Sequence, residues 1–167
     1  MTSRFLVAGL GSPDRGDDAV GPMVAGLIAA DHLPGVLVVV HEDPTGLIDL
    51  WRGRDTVVVV DAVRSGAPAG TVLTVETGEA QSPLLDQAWA RTGRGGTHAF
   101  GLAAAVELAR ALHALPRRLV LVGVEGEQFG HGEQLSGPVE AALGEAIDAV
   151  MGVLESWRDE EPARRTG

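Results

Sequence analysis

The sequence predicts an α/β fold: a three-layer α/β/α sandwich around a mostly parallel, twisted, five-stranded sheet. Three observations carry this expectation. Five short stretches are continuous Val- and Leu-rich runs rather than alternating apolar and polar residues, the pattern of strands covered on both faces. Helical patterns with one apolar stripe stand between most of them. A glycine-rich turn leads off the first run into a helix, as a βαβ unit requires.

The predicted strands are Phe5–Ala8, Val36–Val40, Thr56–Val60, Thr71–Val75 and Leu119–Val124. After the first, Val20, Met23, Val24, Leu27 and Ile28 fall at offsets 0, 3, 4, 7 and 8 and line up as one stripe, with Pro22 tolerated in the first turn. Short helical turns are expected at Leu47–Trp51 and Leu84–Ala90. A longer helix spans Ala99–His113, with Leu102, Val106 and Ala109 inward and Pro116 past its end. The last runs from Pro138 to Trp157, turning Val139, Leu143, Ala146, Val150, Val153 and Trp157 inward, with Ser136 placed to cap it. Arg64–Gly70 is too short for a crossover helix, so the third and fourth strands are expected to form an antiparallel hairpin. Residues 1–157 read as a single domain, and 158–167 as a charged, frayed tail.

Composition narrows the chemistry. With 45% apolar and 22% charged residues, the 167-residue chain is in the range of one globular domain. It has no Cys, which excludes disulfides, thiolate metal sites and a cysteine nucleophile. It also lacks Lys, Tyr and Asn, removing Schiff-base chemistry and the lysine of a P-loop. The net charge of −10 opposes nucleic acid and anionic membrane surfaces as partners. No signal-peptide core or transmembrane run is visible, so the expected location is cytoplasmic.

In a sheet of this type the ligand crevice opens beyond the carboxyl ends of the strands. The turn Gly9-Leu-Gly-Ser-Pro-Asp-Arg-Gly-Asp-Asp-Ala-Val-Gly21 departs from a dinucleotide loop of GxGxxG form, because Asp14 occupies the third glycine position. Asp17 and Asp18 would also repel a pyrophosphate at the helix start. One acid of such a pair can cap the helix while the other faces a ligand. Asp61 follows four valines at the end of the third strand, and His98 opens a helix after Gly93-Arg-Gly-Gly. Asp18, Asp61 and His98 therefore map to one edge of the sheet. Two carboxylates and an imidazole suit a divalent transition metal. His32 and His113 lie near helix ends and are explained by packing or solvent. His41, Glu42 and His131 lie at the same edge without an assigned role.

These residues resemble the [NiFe]-hydrogenase maturation endopeptidases. The resemblance rests on Gly9-Leu-Gly-Ser and Gly16-Asp-Asp-Ala-Val-Gly21, on Asp61, on Thr97-His98 with Gly101-Leu102, and on Val122-Gly-Val-Glu-Gly126 with Leu135-Ser136. It implies a phosphorylase/hydrolase-like fold. It further implies an endopeptidase that removes a C-terminal extension from the nickel-loaded large subunit of a [NiFe] hydrogenase, the nickel being presented by that substrate. Asp18, Asp61 and His98 match the family residues that contact the metal, and are carried over as catalytic and metal-facing residues. The chain departs at Ser12, where the family usually has Asn, and in using Asp rather than the Glu of some members at position 18. Glu42–Gly46 matches its family segment less closely. Two rivals are a non-catalytic, metal-dependent docking or chaperone module for the large subunit and a small-molecule hydrolase on the same sheet.

Overall fold

Val- and Leu-rich runs far apart in sequence lie side by side in a single sheet. The computed structural model describes residues 3–78 and 97–165, with the side chains of 97–100 and 163–165 outside that description. The strands are β1 (Phe5–Leu10), β2 (Val36–His41), β3 (Thr56–Val63), β4 (Val72–Thr77) and β5 (Arg118–Glu125). Their order across the sheet is β2-β1-β3-β5-β4. The β1–β2, β1–β3 and β3–β5 pairs are parallel, and β4 runs antiparallel to β5. β1 and β3 are buried at every residue, which explains why neither alternates.

Helices cover both faces: α1 (Val20–Ala30), α2 (Leu47–Trp51), α3 (Thr97–Ala111) and α4 (Gly137–Arg165). Alternate residues of each central strand divide between two cores. Leu6, Ala8, Leu10, Val57 and Val59 pack with Trp51, Leu102 and Val106, under α2 and α3. Phe5, Val7, Val58 and Val60 pack with Val24, Ile28, Val150 and Trp157, under α1 and α4. The three-layer sandwich is therefore as expected. Among the described residues no helix is long and apolar enough to cross a membrane.

The expected hairpin does not form. β4 is antiparallel, but its partner is β5, which lies between β3 and β4. The β3–β4 connection passes over the end of β5, where the Ser65 and Gly66 N–H groups donate to the Glu125 carboxylate and the Gly70 N–H to the Glu125 carbonyl. β5 can take the inner position because seven of its eight residues are buried. β4 carries exposed Thr74 and Glu76 and suits the edge.

Two further differences concern α4. The helix continues past Trp157 to Arg165, through Pro162, where the sequence predicted a frayed tail. Arg158 is held there by donating to the Pro34 carbonyl (3.2 Å). Ser136 immediately precedes the helix, but its hydroxyl donates to Asp17 rather than capping α4. The helical turn expected at Leu84–Ala90 lies outside the described residues.

β1 connects to β2 on one side, whereas β3 lies on the other side of β1. The strand order thus reverses between β1 and β3, and the crevice of such a sheet opens at the carboxyl ends of those two strands.

Candidate active site

The end of β1 runs into a 3₁₀ turn, Gly16–Ala19, that carries Asp17 and Asp18 and leads directly into α1. The turn lies hard against the strand ends. A Cβ on Gly21 would land on the Leu10 and Val60 carbonyl oxygens, so only glycine permits this approach of α1 to β1 and β3. Gly11, at φ +137°, would likewise place a Cβ on the Asp18 carbonyl. Neither acid caps a helix with its side chain. Asp18 is 5% exposed and accepts the Ser12 N–H at 2.8 Å. The contact from position 12 is thus made by main chain and does not depend on the Ser12 side chain.

Asp61 is the sixth residue of β3 and has Gly123 of β5 as its register partner. By the two-residue alternation of the strand it shares a face with Val57, Val59 and Val63, the face covered by α3. It is completely buried, and among the described residues neither carboxylate oxygen has a hydrogen-bond partner. Burial pushes its pKa well above the usual carboxylate range, and the nearby Asp18 charge raises it further. The Ala62 N–H opposes this without reaching hydrogen-bond geometry. An unpaired carboxyl group in a protein interior is costly unless it is protonated or meets a cation.

His98 stands in the first turn of α3, one turn before the core residue Leu102. Its side chain lies outside the described residues, as do residues 93–96 before it. The helix is seated beside the crevice by Gly101, where a Cβ would meet Pro44 at 3.3 Å. The structure therefore brings Asp18 and Asp61 together and sets the backbone of His98 on the helix above the Asp61 face. Among the described residues no group of three or more metal-ligating side chains is preassembled.

The other histidines divide. His32 (φ 47°) and His113 (φ 51°) hold left-handed positions just past α1 and α3, which is a structural role. His41 ends β2 with its ring against Gly46 and a buried Nδ1 that has no partner. Glu42 and His131 are exposed. A cleft of about 260 Å³ on the outer side of the acidic turn is lined by Pro13, Ala19, Met23, Leu135 and Glu140 among others, and neither Asp18 nor Asp61 lines it.

Two buried acids had no assigned role in the sequence. Asp17 is wholly buried and bonded to the β5–α4 segment. Glu125, 4% exposed, holds the Ser65–Gly66 turn. The doubled acid at 17 and 18 was the one available signal; the partners of both groups lie 60 or more positions from them in several cases and leave no local pattern.

Comparison with known proteins agrees with this fold. A family model described as hydrogenase maturation protease matches residues 42–153. The hydrogenase 2 maturation protease of Escherichia coli K12 is 28% identical over 156 residues, covering 90% of each chain. Among solved structures, the hydrogenase maturating endopeptidase HybD from E. coli superposes with a TM-score of 0.73 at 25% identity, over 92% of this chain and 93% of that one. The hydrogenase 2 maturation peptidase from Thaumarchaeota archaeon SCGC_AB-539-E09 gives a TM-score of 0.63 at 29% identity, over 90% and 97%. These likenesses favour an endopeptidase over a docking module or a small-molecule hydrolase. With its family model spanning two thirds of the chain, from the end of β2 into α4, the chain belongs to the hydrogenase maturation protease family, as a hydrolase of the endopeptidase type.

Proposed function

We propose that this chain acts in the cytoplasm on the precursor of a [NiFe]-hydrogenase large subunit, cutting off its C-terminal extension once nickel is in place. The nickel belongs to the substrate, and Asp18, Asp61 and His98 are the residues that meet it. The observation that carries this reading is Asp61: a buried carboxyl group with two unpartnered oxygens beside Asp18, at the point where strand order reverses. A divalent cation supplies the countercharge that the fold withholds. Carboxylates and imidazole are suitable donors for it.

Meeting a metal already bound in the partner fixes the partner's chain over the crevice, and proximity supplies much of the rate. Hydrolysis then needs a water whose oxygen bonds to the scissile carbonyl carbon. Its proton passes to a base, and the peptide nitrogen departs after taking up a proton. Asp18 and Asp61 are the carboxylates at this crevice that offer lone pairs for that base.

The test mixes the purified chain with nickel-loaded and nickel-free large-subunit precursor and weighs the products by mass spectrometry. The expected result is loss of one defined C-terminal peptide from the nickel-loaded form, abolished by Asp18→Ala, Asp61→Ala and His98→Ala. Efficient cleavage of generic peptides without nickel, or a stable complex with no change in mass, overturns the proposal.

A further inference from the structure

The acid beside the metal-facing one has an environment of its own. Asp17 accepts four hydrogen bonds, all from the segment joining β5 to α4. Oδ2 takes the N–H groups of Glu127 (2.8 Å) and Gln128 (3.0 Å) and the Ser136 hydroxyl (2.9 Å), while Oδ1 takes the Ser136 N–H (2.7 Å). The main chain adds two bonds across the same seam, from the Asp17 N–H to the Gln128 carbonyl (2.7 Å) and from the Gly16 N–H to the Glu133 carbonyl (3.0 Å). Every side-chain bond uses Asp17 as acceptor, so the site is built for a carboxylate. An amide there would turn a donor toward donors.

Asp18 is held far less. Among the described residues one bond, from the Ser12 N–H, fixes its carboxylate, and the turn that carries it is only four residues long. The orientation of Asp18 must therefore come from its neighbours in the chain, and Asp17 is the neighbour anchored on the opposite side. We propose that Asp17 is a positioning residue. It clamps the Gly16–Ala19 turn to the β5–α4 segment and so sets the direction in which Asp18 points. Asp17 meets neither the metal nor the peptide; it acts through Asp18. The proposal rests on the reading of Asp18 given above.

The test is Asp17→Asn, which keeps size and removes the charge and one acceptor. At a temperature where the variant is folded, kcat on nickel-loaded precursor is expected to fall at least about tenfold, as a small misplacement of a reacting group does, with KM within about twofold. In amide hydrogen exchange the Ser12 N–H, which reports the Asp18 bond, is expected to lose protection. Val153→Ala, a core change remote from the turn, serves as the control and keeps both signals at a matched loss of Tm. Wild-type kcat in folded Asp17→Asn, an unchanged Ser12 amide, or an equal loss of kcat in Val153→Ala overturns the proposal. Should Asp17→Asn fail to fold, Ser136→Ala removes a single one of the four bonds and is expected to lower kcat about threefold at unchanged KM; wild-type kcat there also overturns it. Failure of the wild-type chain to cleave refutes the reading of the reaction instead, and the Ser12 amide still decides the role of Asp17.

Discussion

Asp61 lies within the electrostatic reach of Asp18, and its own carboxylate, wholly buried, accepts no hydrogen bond. The pair is electrostatically unfavourable in the fold. Burial first, and the Asp18 charge second, hold the Asp61 pKa above its value in the unfolded chain. Above the ordinary Asp range the unfolded state has released this proton while the folded state keeps it, so this group makes stability fall as pH rises. Asp61→Asn removes the penalty. The amide stays as unpartnered as the carboxyl group it replaces but carries no ionisation penalty, so the variant is expected to be more stable than wild type at neutral pH. The gain should shrink as pH is lowered toward 4 and vanish below the unfolded pKa of about 3.9. Urea unfolding of both proteins across this range checks it, and a gain independent of pH contradicts it. The same variant is expected to have no processing activity, a trade of function against stability common at active sites.

Glu125 presents the opposite case, a buried acid whose needs are met. Its carboxylate accepts the Ser65 N–H (2.8 and 3.0 Å to its two oxygens), the Gly66 N–H (3.0 Å) and the Ser65 hydroxyl (2.7 Å). Glu125→Ala strands these donors near the end of β5 and is expected to cost about 3 kcal/mol, read as a drop in the urea midpoint at unchanged m-value. A change under about 0.5 kcal/mol would mean that water replaces the carboxylate at no cost.

The contrast between these acids shows what a sequence displays. Val57–Val60 announces a buried central strand, and an acid immediately after it stands out because it falls at the carboxyl end of that strand, where the crevice of such a sheet opens. The burial of Asp61 at that strand end was legible for this reason, whereas Asp18 was singled out by the doubled acid at the start of the first helix. Which strand lies beside β3 was not, because β5 comes from more than fifty residues downstream and its apolar run would pair equally well elsewhere. The hairpin expectation followed the short connection, and the actual pairing follows burial. Asp17 and Asp18 are identical as letters, yet one is bonded to the β5–α4 segment and the other to the Ser12 N–H. The difference arises from Glu127, Gln128 and Ser136, whose positions relative to the turn are fixed only when α4 packs.

The chain breaks after α1 and α3 are served by histidine in a conformation that suits glycine. His113 has φ 51° and donates its N–H to the Arg110 carbonyl at 3.1 Å, closing the end of α3. A residue with a Cβ pays about 1–2 kcal/mol for this conformation. Glycine avoids that cost and gives part back through greater freedom in the unfolded chain. His113→Gly is therefore expected to raise stability by about 0.5–1 kcal/mol, seen as a higher Tm with no change in processing rate. A lower Tm would show that the imidazole makes a contribution larger than the backbone strain.

Two glycines of the same helix should respond with opposite sign to the same substitution. Gly26 is exposed in the middle of α1 and a Cβ there meets nothing within 4 Å, so Gly26→Ala gains helix propensity worth about 1 kcal/mol. Gly21 is buried against the Leu10 and Val60 carbonyl oxygens, which are held in the sheet and cannot give way. Gly21→Ala must push α1 off the strand ends and is expected to cost about 3 kcal/mol. The displacement matters beyond stability, because the start of α1 carries the turn with Asp18 while Val60 precedes Asp61. Moving one from the other lengthens the separation of the two carboxylates. Folded Gly21→Ala should accordingly lose processing activity in excess of its loss of stability, whereas Gly26→Ala keeps full activity. Equal activities in the two variants, measured where both are folded, would show that the crevice tolerates this shift.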